Sequence, residues 1–166
     1  MPRRLVLVLL LVVAVAWLGF RAVRDFDQDR HAADAAAVLA APDKVTHPLP
    51  PVPPQRAGGQ LAYRPGTWLS VVELRGLQPA SGNERYLVFL RNWAGWTLAG
   101  AARPGPGGTA QVRSRAEPRP RTIYEVVVTR GVDDATSVPH GQPVLHWFDG
   151  SLGPPRAVPF DFARGA

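Results

Sequence analysis

The sequence predicts an all-β protein: a small antiparallel β-sandwich of six or seven strands, preceded by one N-terminal transmembrane helix and a Pro-rich linker. Three observations predict this fold class. Residues 5–20 are apolar and uncharged, and prolines cluster between residues 42 and 54. After residue 60, short runs rich in Val, Leu, Trp, Tyr and Thr alternate with Gly and Pro, without a helical period. A chain of 166 residues has room for one such domain and its N-terminal segments.

Residues 1–24 are predicted to form a membrane anchor of the signal-anchor type. The apolar run from Leu5 to Phe20 is flanked by arginines on both sides and approaches the length that a spanning helix needs. The alternative is a secreted protein cleaved near Ala16, because Ala14-Val15-Ala16 has the small-x-small form of a cleavage site. The apolar run continues past that point, which favours the uncleaved anchor. We expect a single-pass protein of the bacterial cell membrane, with the C-terminal domain outside the cytoplasm.

Two further segments are predicted between the anchor and the domain. Residues 25–41 are Ala-rich, begin with acidic residues and end before Pro42, which is typical of a helix with a natural stop. Residues 42–59 contain prolines at six positions, and such a run favours extended polyproline II over strand pairing. We therefore expect a juxtamembrane helix over 25–41 and a semi-rigid spacer over 42–59.

The domain itself is predicted over residues 60–166. Strands are expected where β-branched and aromatic residues alternate between turn residues. The run at 85–91 is apolar on both faces, which predicts a central strand covered on both sides. The predicted strands are residues 67–74, 85–91, 96–101, 109–113, 122–129 and 143–148, with a last edge strand at 157–162.

Composition excludes several kinds of chemistry. The chain has no cysteine, so disulfides, thiolate catalysis and Cys-based metal sites are absent. His140, His146 and Asp149 lie close in sequence, but their spacing alone does not predict the convergent geometry of a metal site. The nucleophile-elbow, zinc-protease and phosphate-loop motifs are missing. The sequence therefore predicts a protein that is not an enzyme and that has no cofactor, catalytic residue or metal site.

Two groups of residues are candidates for protein interaction. Trp93 and Trp96 flank Gly95 in a predicted hairpin turn, where exposed rings would serve as interface anchors. A basic run contains Arg113, Arg115, Arg119 and Arg121; a solvated surface loop is its favoured interpretation. The net charge of +6 comes from arginines spread along the chain, so it does not indicate nucleic-acid binding. The expected partners are the membrane and a protein in the membrane or envelope, and no small-molecule substrate is identified.

Across residues 67–148 the chain resembles the extracytoplasmic C-terminal domain of RskA-type anti-sigma-K factors. The similar pieces are residues 76–79 (GLQP), 86–90 (YLVFL), 99–100 (AG), 107–108 (GG), 125–129 (EVVVT) and 139–143 (PHGQP). The chain departs from the family in residues 130–141 and in having no counterpart of the cytoplasmic half that holds the sigma factor. The resemblance implies an anchored sensory or regulatory β domain without direct sigma-factor capture.

These observations predict a membrane-anchored, extracytoplasmic β domain that acts as a non-catalytic binding or regulatory module. One alternative is a secreted or anchored envelope protein that binds a ligand or metal. Another is regulation of an envelope-stress sigma factor through a separate membrane partner. The remaining alternative, from a different class, is a hydrolytic or metal-dependent enzyme that uses His140, His146 and Asp149.

Overall fold

A computed structural model describes residues 32–114, 123–132 and 136–152. The chain forms two compact units, Met1–Ala37 and Val38–Ala166. In the first unit, residues 32–37 are helical, and the helix ends at residue 40, two residues before Pro42. This helix lies within the segment 25–41 for which a helix was predicted. The predicted anchor at 1–24 and the predicted edge strand at 157–162 lie outside the described residues. Over the ranges that the structure describes, no helix is long and apolar enough to cross a membrane.

The second unit is a sandwich of two four-stranded antiparallel sheets, which confirms the predicted all-β class. Sheet A has the strand order β1-β2-β3-β6, and sheet B has the order β5-β4-β7-β8. The part of the chain that the structure describes therefore has eight strands, more than the six or seven predicted. They are β1 (Val45–Leu49), β2 (Gly58–Tyr63), β3 (Ser70–Arg75), β4 (Glu84–Asn92), β5 (Gly95–Ala102), β6 (Ala110–Ser114), β7 (Glu125–Val132) and β8 (Gln142–Phe148), followed by a short 3-10 helix, Gly150–Leu152.

The two additional strands correct the prediction of a spacer over residues 42–59. Residues 45–49 form β1, which pairs along its whole length with β2. The segment that follows also pairs, since the Val52 N–H donates to the Val144 carbonyl over 2.9 Å and the His146 N–H donates to the Pro50 carbonyl over 3.1 Å. A proline can accept in a ladder although it cannot donate, and Pro50 accepts here. The Pro-rich segment is thus part of the folded unit.

The core lies between the sheets and comes from alternate positions of each strand. In sheet B, Val88 and Leu90 of β4 and Val126 and Val128 of β7 face the core and are fully buried. Sheet A contributes residues that share this burial, and the whole cluster is Leu49, Ala57, Leu61, Val72, Leu74, Leu77, Tyr86, Val88, Leu90, Val112, Ile123, Val126, Val128, Val144 and Leu145. The period of two in the sequence therefore becomes an apolar inner face.

The strand β4 is central in sheet B and is buried on both faces, as its apolar run predicted. It pairs with β5 on one side and β7 on the other. Leu87 and Phe89 point away from the inter-sheet core and are nevertheless fully buried. The ring of His140, from the loop before β8, lies edge-on to the Phe89 ring with centroids 5.5 Å apart. This loop therefore covers part of the outer face of sheet B, at Phe89.

Candidate functional site

The hairpin between β4 and β5 presents an aromatic tip. Asn92 pairs with Gly95 across a two-residue turn, and the Asn92 side-chain oxygen accepts the Ala94 N–H over 2.9 Å. Gly95 adopts a φ of +125°, a conformation that residues with a side chain rarely adopt. This turn places Trp93 at the tip with 74% of its surface exposed. The hairpin predicted from Trp-Ala-Gly is confirmed, and Trp93 is the most exposed large hydrophobic residue in the described chain.

Neighbouring rings hold the Trp93 indole in place. Its ring lies 5.1 Å from the ring of Tyr124, which precedes β7. Tyr124 in turn meets Phe148, at the end of β8, edge-on at 6.4 Å. These distances and tilted geometries are those of favourable aromatic pairs. We refer to Arg91, Trp93, Trp96, Tyr124 and Phe148 together as the hairpin surface.

Arg91 connects the rings of the hairpin surface. Its guanidinium carbon lies 5.3 Å from the Trp96 ring centroid and 5.7 Å from the Tyr124 ring centroid. Both distances allow a cation–π interaction. Trp96 is directly opposite Arg91 in the β4–β5 register, so the two side chains project from the same face. Trp96 is half-buried here, whereas Trp93 is exposed.

A buried carboxylate fixes the position of Arg91. Glu125 is the residue of β7 opposite Arg91, and its side chain is fully buried. Arg91 donates to Glu125 Oε2 over 2.9 Å, and His146 Nε2, on β8, donates to Oε1 over 2.9 Å. A carboxylate removed from water is tolerated only when its oxygens accept hydrogen bonds in this way. Three adjacent strands, β4, β7 and β8, thus each contribute one side chain to this hydrogen-bonded group.

The sequence prediction identified part of this site. Trp93 and Trp96 belong to the hairpin surface, whereas Arg113 lies on β6 in the other sheet, opposite Val71. Arg115, Arg119 and Arg121 lie outside the described residues. Trp68 lies in the strand predicted over residues 67–74, but it precedes β3 and is 48% exposed. Trp147 lies in the strand predicted over residues 143–148, is part of β8 and packs against the core.

Arg91 and Glu125 were not identified from the sequence. The signal that could have found them is a charged residue at the end of a strand that is otherwise apolar on both faces. Arg91 follows YLVFL and Glu125 precedes VVV. A charge in such a strand requires a partner on a neighbouring strand, because water does not reach it. The identity of that partner depends on the strand register, which the local sequence does not contain.

The structure does not bring His140, His146 and Asp149 together as a metal site. His146 donates to Glu125, and the two ring nitrogens of His140 each lie 3.0 Å from a backbone carbonyl, of Val138 and of Val132. Asp149 accepts from the Ser151 hydroxyl over 2.7 Å and from the Ser151 N–H over 3.0 Å. Within the described ranges, no three His, Cys, Asp or Glu side chains form a group that could hold a metal ion.

His47 occupies one end of the core and has a perturbed proton affinity. Its ring lies 4.4 Å from the Trp147 ring and 5.9 Å from the Tyr63 ring. Burial between these rings lowers the pKa of His47 below its ordinary value of 6.5, and the negative charge of Asp149 partly opposes this shift. Hydrogen bonds from the Ser151 hydroxyl and N–H lower the pKa of Asp149, and the electrostatic interaction with His47 adds to this shift.

The lowered pKa of His47 predicts a loss of stability in mild acid. The folded protein binds the His47 proton less readily than the unfolded chain, so the free energy of unfolding falls as the pH decreases through 6.5. Replacing His47 by Phe keeps a ring against Trp147 and removes the titration. We expect urea midpoints of the wild type to decrease more steeply from neutral pH to below 6.5 than those of H47F. Equal slopes in the two proteins would contradict the assignment of this pH dependence to His47.

The hairpin surface combines an exposed indole, aromatic rings in tilted and edge-on contact, and a guanidinium held by a buried carboxylate. Exposed Trp, Tyr and Arg side chains that are already ordered lose little conformational freedom when a partner covers them. Such a surface is suited to binding another molecule by ring contact and by donation from Arg91. No known protein family, curated protein or solved structure matches the chain.

Proposed function

We propose that the protein is a single-pass bacterial envelope protein whose C-terminal β domain lies outside the cytoplasm and binds a protein partner without catalysis. The observation that supports the binding function is the exposure of Trp93, a large aromatic residue that is 74% exposed at the tip of a hairpin. The centroid of its ring lies 5.1 Å from that of the Tyr124 ring, which packs against it. Tryptophan in such a position is among the side chains that contribute most to protein–protein affinity.

The membrane location rests on the sequence. Residues 5–20 are apolar and uncharged, with arginines at positions 3, 4, 21 and 24. The test is fractionation of cells that express the untagged full chain, with the mass of the recovered protein measured. We expect recovery in the membrane fraction at the uncleaved mass. A soluble cytoplasmic protein would contradict the proposal, and a membrane-free protein shortened near Ala16 would establish the secreted alternative.

The resemblance to RskA-type anti-sigma-K factors favours a regulatory partner located in the membrane or envelope. The resemblance covers residues 67–148 and concerns the extracytoplasmic half of that family, so the proposed contact with a sigma pathway is indirect. Deleting the gene should then alter the expression of an envelope-stress regulon. An unchanged pattern in every sigma regulon would contradict this regulatory role while leaving the binding function of the hairpin surface in place.

Trp93→Ser is expected to weaken partner binding at least about tenfold and to lower the free energy of unfolding by at most about 1.5 kcal/mol, the value of the lost ring pair with Tyr124. The loss of affinity follows from removing the exposed ring, and the effect on stability is small because most of that ring contacts solvent. The partner is first identified by photo-crosslinking from position 93 in the full chain, in membranes. Its affinity is then measured with the purified wild type and variant.

Trp68→Ser is the matched control, because Trp68 is also exposed, at 48%, and lies outside the hairpin surface. We expect this variant to bind the crosslinked partner as the wild type does. Equal losses of affinity in the two variants would indicate a general effect of losing surface tryptophan. Unchanged affinity in W93S would remove the hairpin surface from the binding site.

A further inference from the structure

A polar pocket lies on the outer face of sheet A, beside the β5–β6 loop. Gln60, Glu73 and Gln111 are directly opposite one another on β2, β3 and β6. The residues that follow or precede them, Leu61, Val72 and Val112, face the core, so this row of three faces outward. The pocket has a volume of about 630 Å³, and Arg75, Arg103 and Thr109 are also among its lining residues.

The row forms an ordered hydrogen-bonding floor. Gln60 Nε2 donates to Glu73 Oε2 over 2.6 Å, which orients both side chains. The amides of Gln60 and Gln111 and the carboxylate of Glu73 all line the pocket. They offer acceptors and donors in a line across three strands, separated by the inter-strand spacing of about 4.8 Å.

Two guanidinium groups stand at the rim of the pocket. Arg75 lies over Gly58, where an added Cβ would be 3.5 Å from Arg75 Nε. Arg103 donates to the Gly82 carbonyl, which ties its side chain to the adjacent turn. With Glu73 as the single acid among the lining residues, the pocket carries a net positive charge. A guanidinium provides the paired donors that a carboxylate accepts.

We propose that this pocket binds an acidic sugar unit, with its carboxylate at Arg75 and its hydroxyls on the row of Gln60, Glu73 and Gln111. Amide and carboxylate side chains exchange hydrogen bonds with hydroxyls, and alternate hydroxyls around a six-membered sugar ring are spaced comparably to neighbouring strands. No aromatic ring is among the lining residues that the structure describes, which disfavours a flat apolar ligand. The site lies on the opposite sheet from the hairpin surface and does not depend on the function proposed above.

The test is titration of the purified full chain, in detergent, with digalacturonate at up to millimolar concentration. We expect saturable binding that weakens with added salt, and a loss of affinity of about tenfold or more in Arg75→Gln, because a charge-assisted hydrogen bond is removed. Arg64→Gln is the matched control. Arg64 is an exposed arginine of the β2–β3 turn that pairs with Asp43 outside the pocket. The affinity of R64Q for digalacturonate should stay within about twofold of the wild-type affinity.

Two further probes distinguish the sources of affinity. Maltose, a neutral disaccharide, is expected to bind more weakly than digalacturonate because it has no carboxylate. Diglutamate, an acidic dipeptide, is also expected to bind more weakly than digalacturonate because it has no sugar hydroxyls. Equal binding of maltose would overturn the role of the carboxylate, and equal binding of diglutamate would overturn the sugar assignment. Absence of saturable digalacturonate binding, or equal losses in R75Q and R64Q, would overturn the site. Trp93→Ser should bind digalacturonate normally, which separates this result from the test of the hairpin surface.

Discussion

Replacing Arg91 by Met is expected to lower the free energy of unfolding by about 3 to 5 kcal/mol, the usual cost of leaving one member of a buried ion pair without its partner. Glu125 is fully buried, and among the described residues it accepts hydrogen bonds from Arg91 and His146. The variant removes the hydrogen bond and the charge of Arg91 and retains that of His146 as a hydrogen-bond donor. The aliphatic part of Met covers much of the same surface, so the loss reports the charge. The measurement is urea denaturation of the full chain in detergent, followed by circular dichroism.

A double-mutant cycle separates the ion pair from packing. Arg91→Met combined with Glu125→Met removes the buried charge as well as its partner, and such apolar replacements are often tolerated. We therefore expect the double variant to be more stable than R91M alone, with a coupling energy above about 1 kcal/mol. Effects that simply add would contradict the pairing. Glu125→Gln keeps the size and an acceptor, and should fall between the wild type and R91M.

Gly108→Ala is expected to destabilise the domain by about 3 kcal/mol, from an unfavourable backbone conformation together with a steric clash. Gly108 has a φ of +70°, and an added Cβ would lie 2.5 Å from the Leu77 carbonyl oxygen. The loop cannot simply move away, because the Leu77 N–H donates to the Gly108 carbonyl over 2.9 Å. Leu77 belongs to the core, so a displacement there would extend into the sandwich.

Gly107→Ala is the control for this substitution. Gly107 has a similar φ of +79°, but an added Cβ would have no heavy atom within 4 Å. Gly107→Ala should therefore lower the free energy of unfolding only by the cost of the unfavourable backbone conformation, about 1 to 2 kcal/mol. The difference between the two variants measures the close approach of the loop to Leu77. Equal urea midpoints of the Gly107→Ala and Gly108→Ala variants would show that the loop moves to accommodate the added Cβ, and that the contact with Leu77 does not constrain it.

Local patterns were sufficient to predict most of the sheet elements. The run RYLVFLR predicted a central strand buried on both faces, and β4 has this position with Leu87 and Phe89 fully buried. The first two strands could not be predicted, because β1 and its continuation are rich in proline, and β2 begins with two glycines. β1 and β2 pair with each other, β2 also pairs with β3, and residues 50–52 pair with β8, so the stabilisation is tertiary and overrides local preference.

The hairpin surface was predictable only in part. Trp93 and Trp96 stood out because they flank a glycine in a tight turn, which is a local feature. Arg91 and Glu125 are far apart in the sequence and meet only through the register of β4 against β7. A shift of that register by one residue would place Glu125 on the opposite face, and nothing near either residue specifies it. Exposure of Trp68 was likewise a tertiary outcome that strand composition did not reveal.

The pairing of residues 50–52 with β8 has a consequence for solubility at high concentration. A strand at the edge of a sheet carries unpaired N–H and C=O groups, to which another chain can add and begin a growing aggregate. Pro51 lies against Leu145 in an isolated bridge, beside the bonds that join Val52 to Val144 and His146 to Pro50. Prolines have no N–H to offer a further strand. The proline-rich segment therefore covers the β8 edge of sheet B and protects it from pairing with a strand of another molecule.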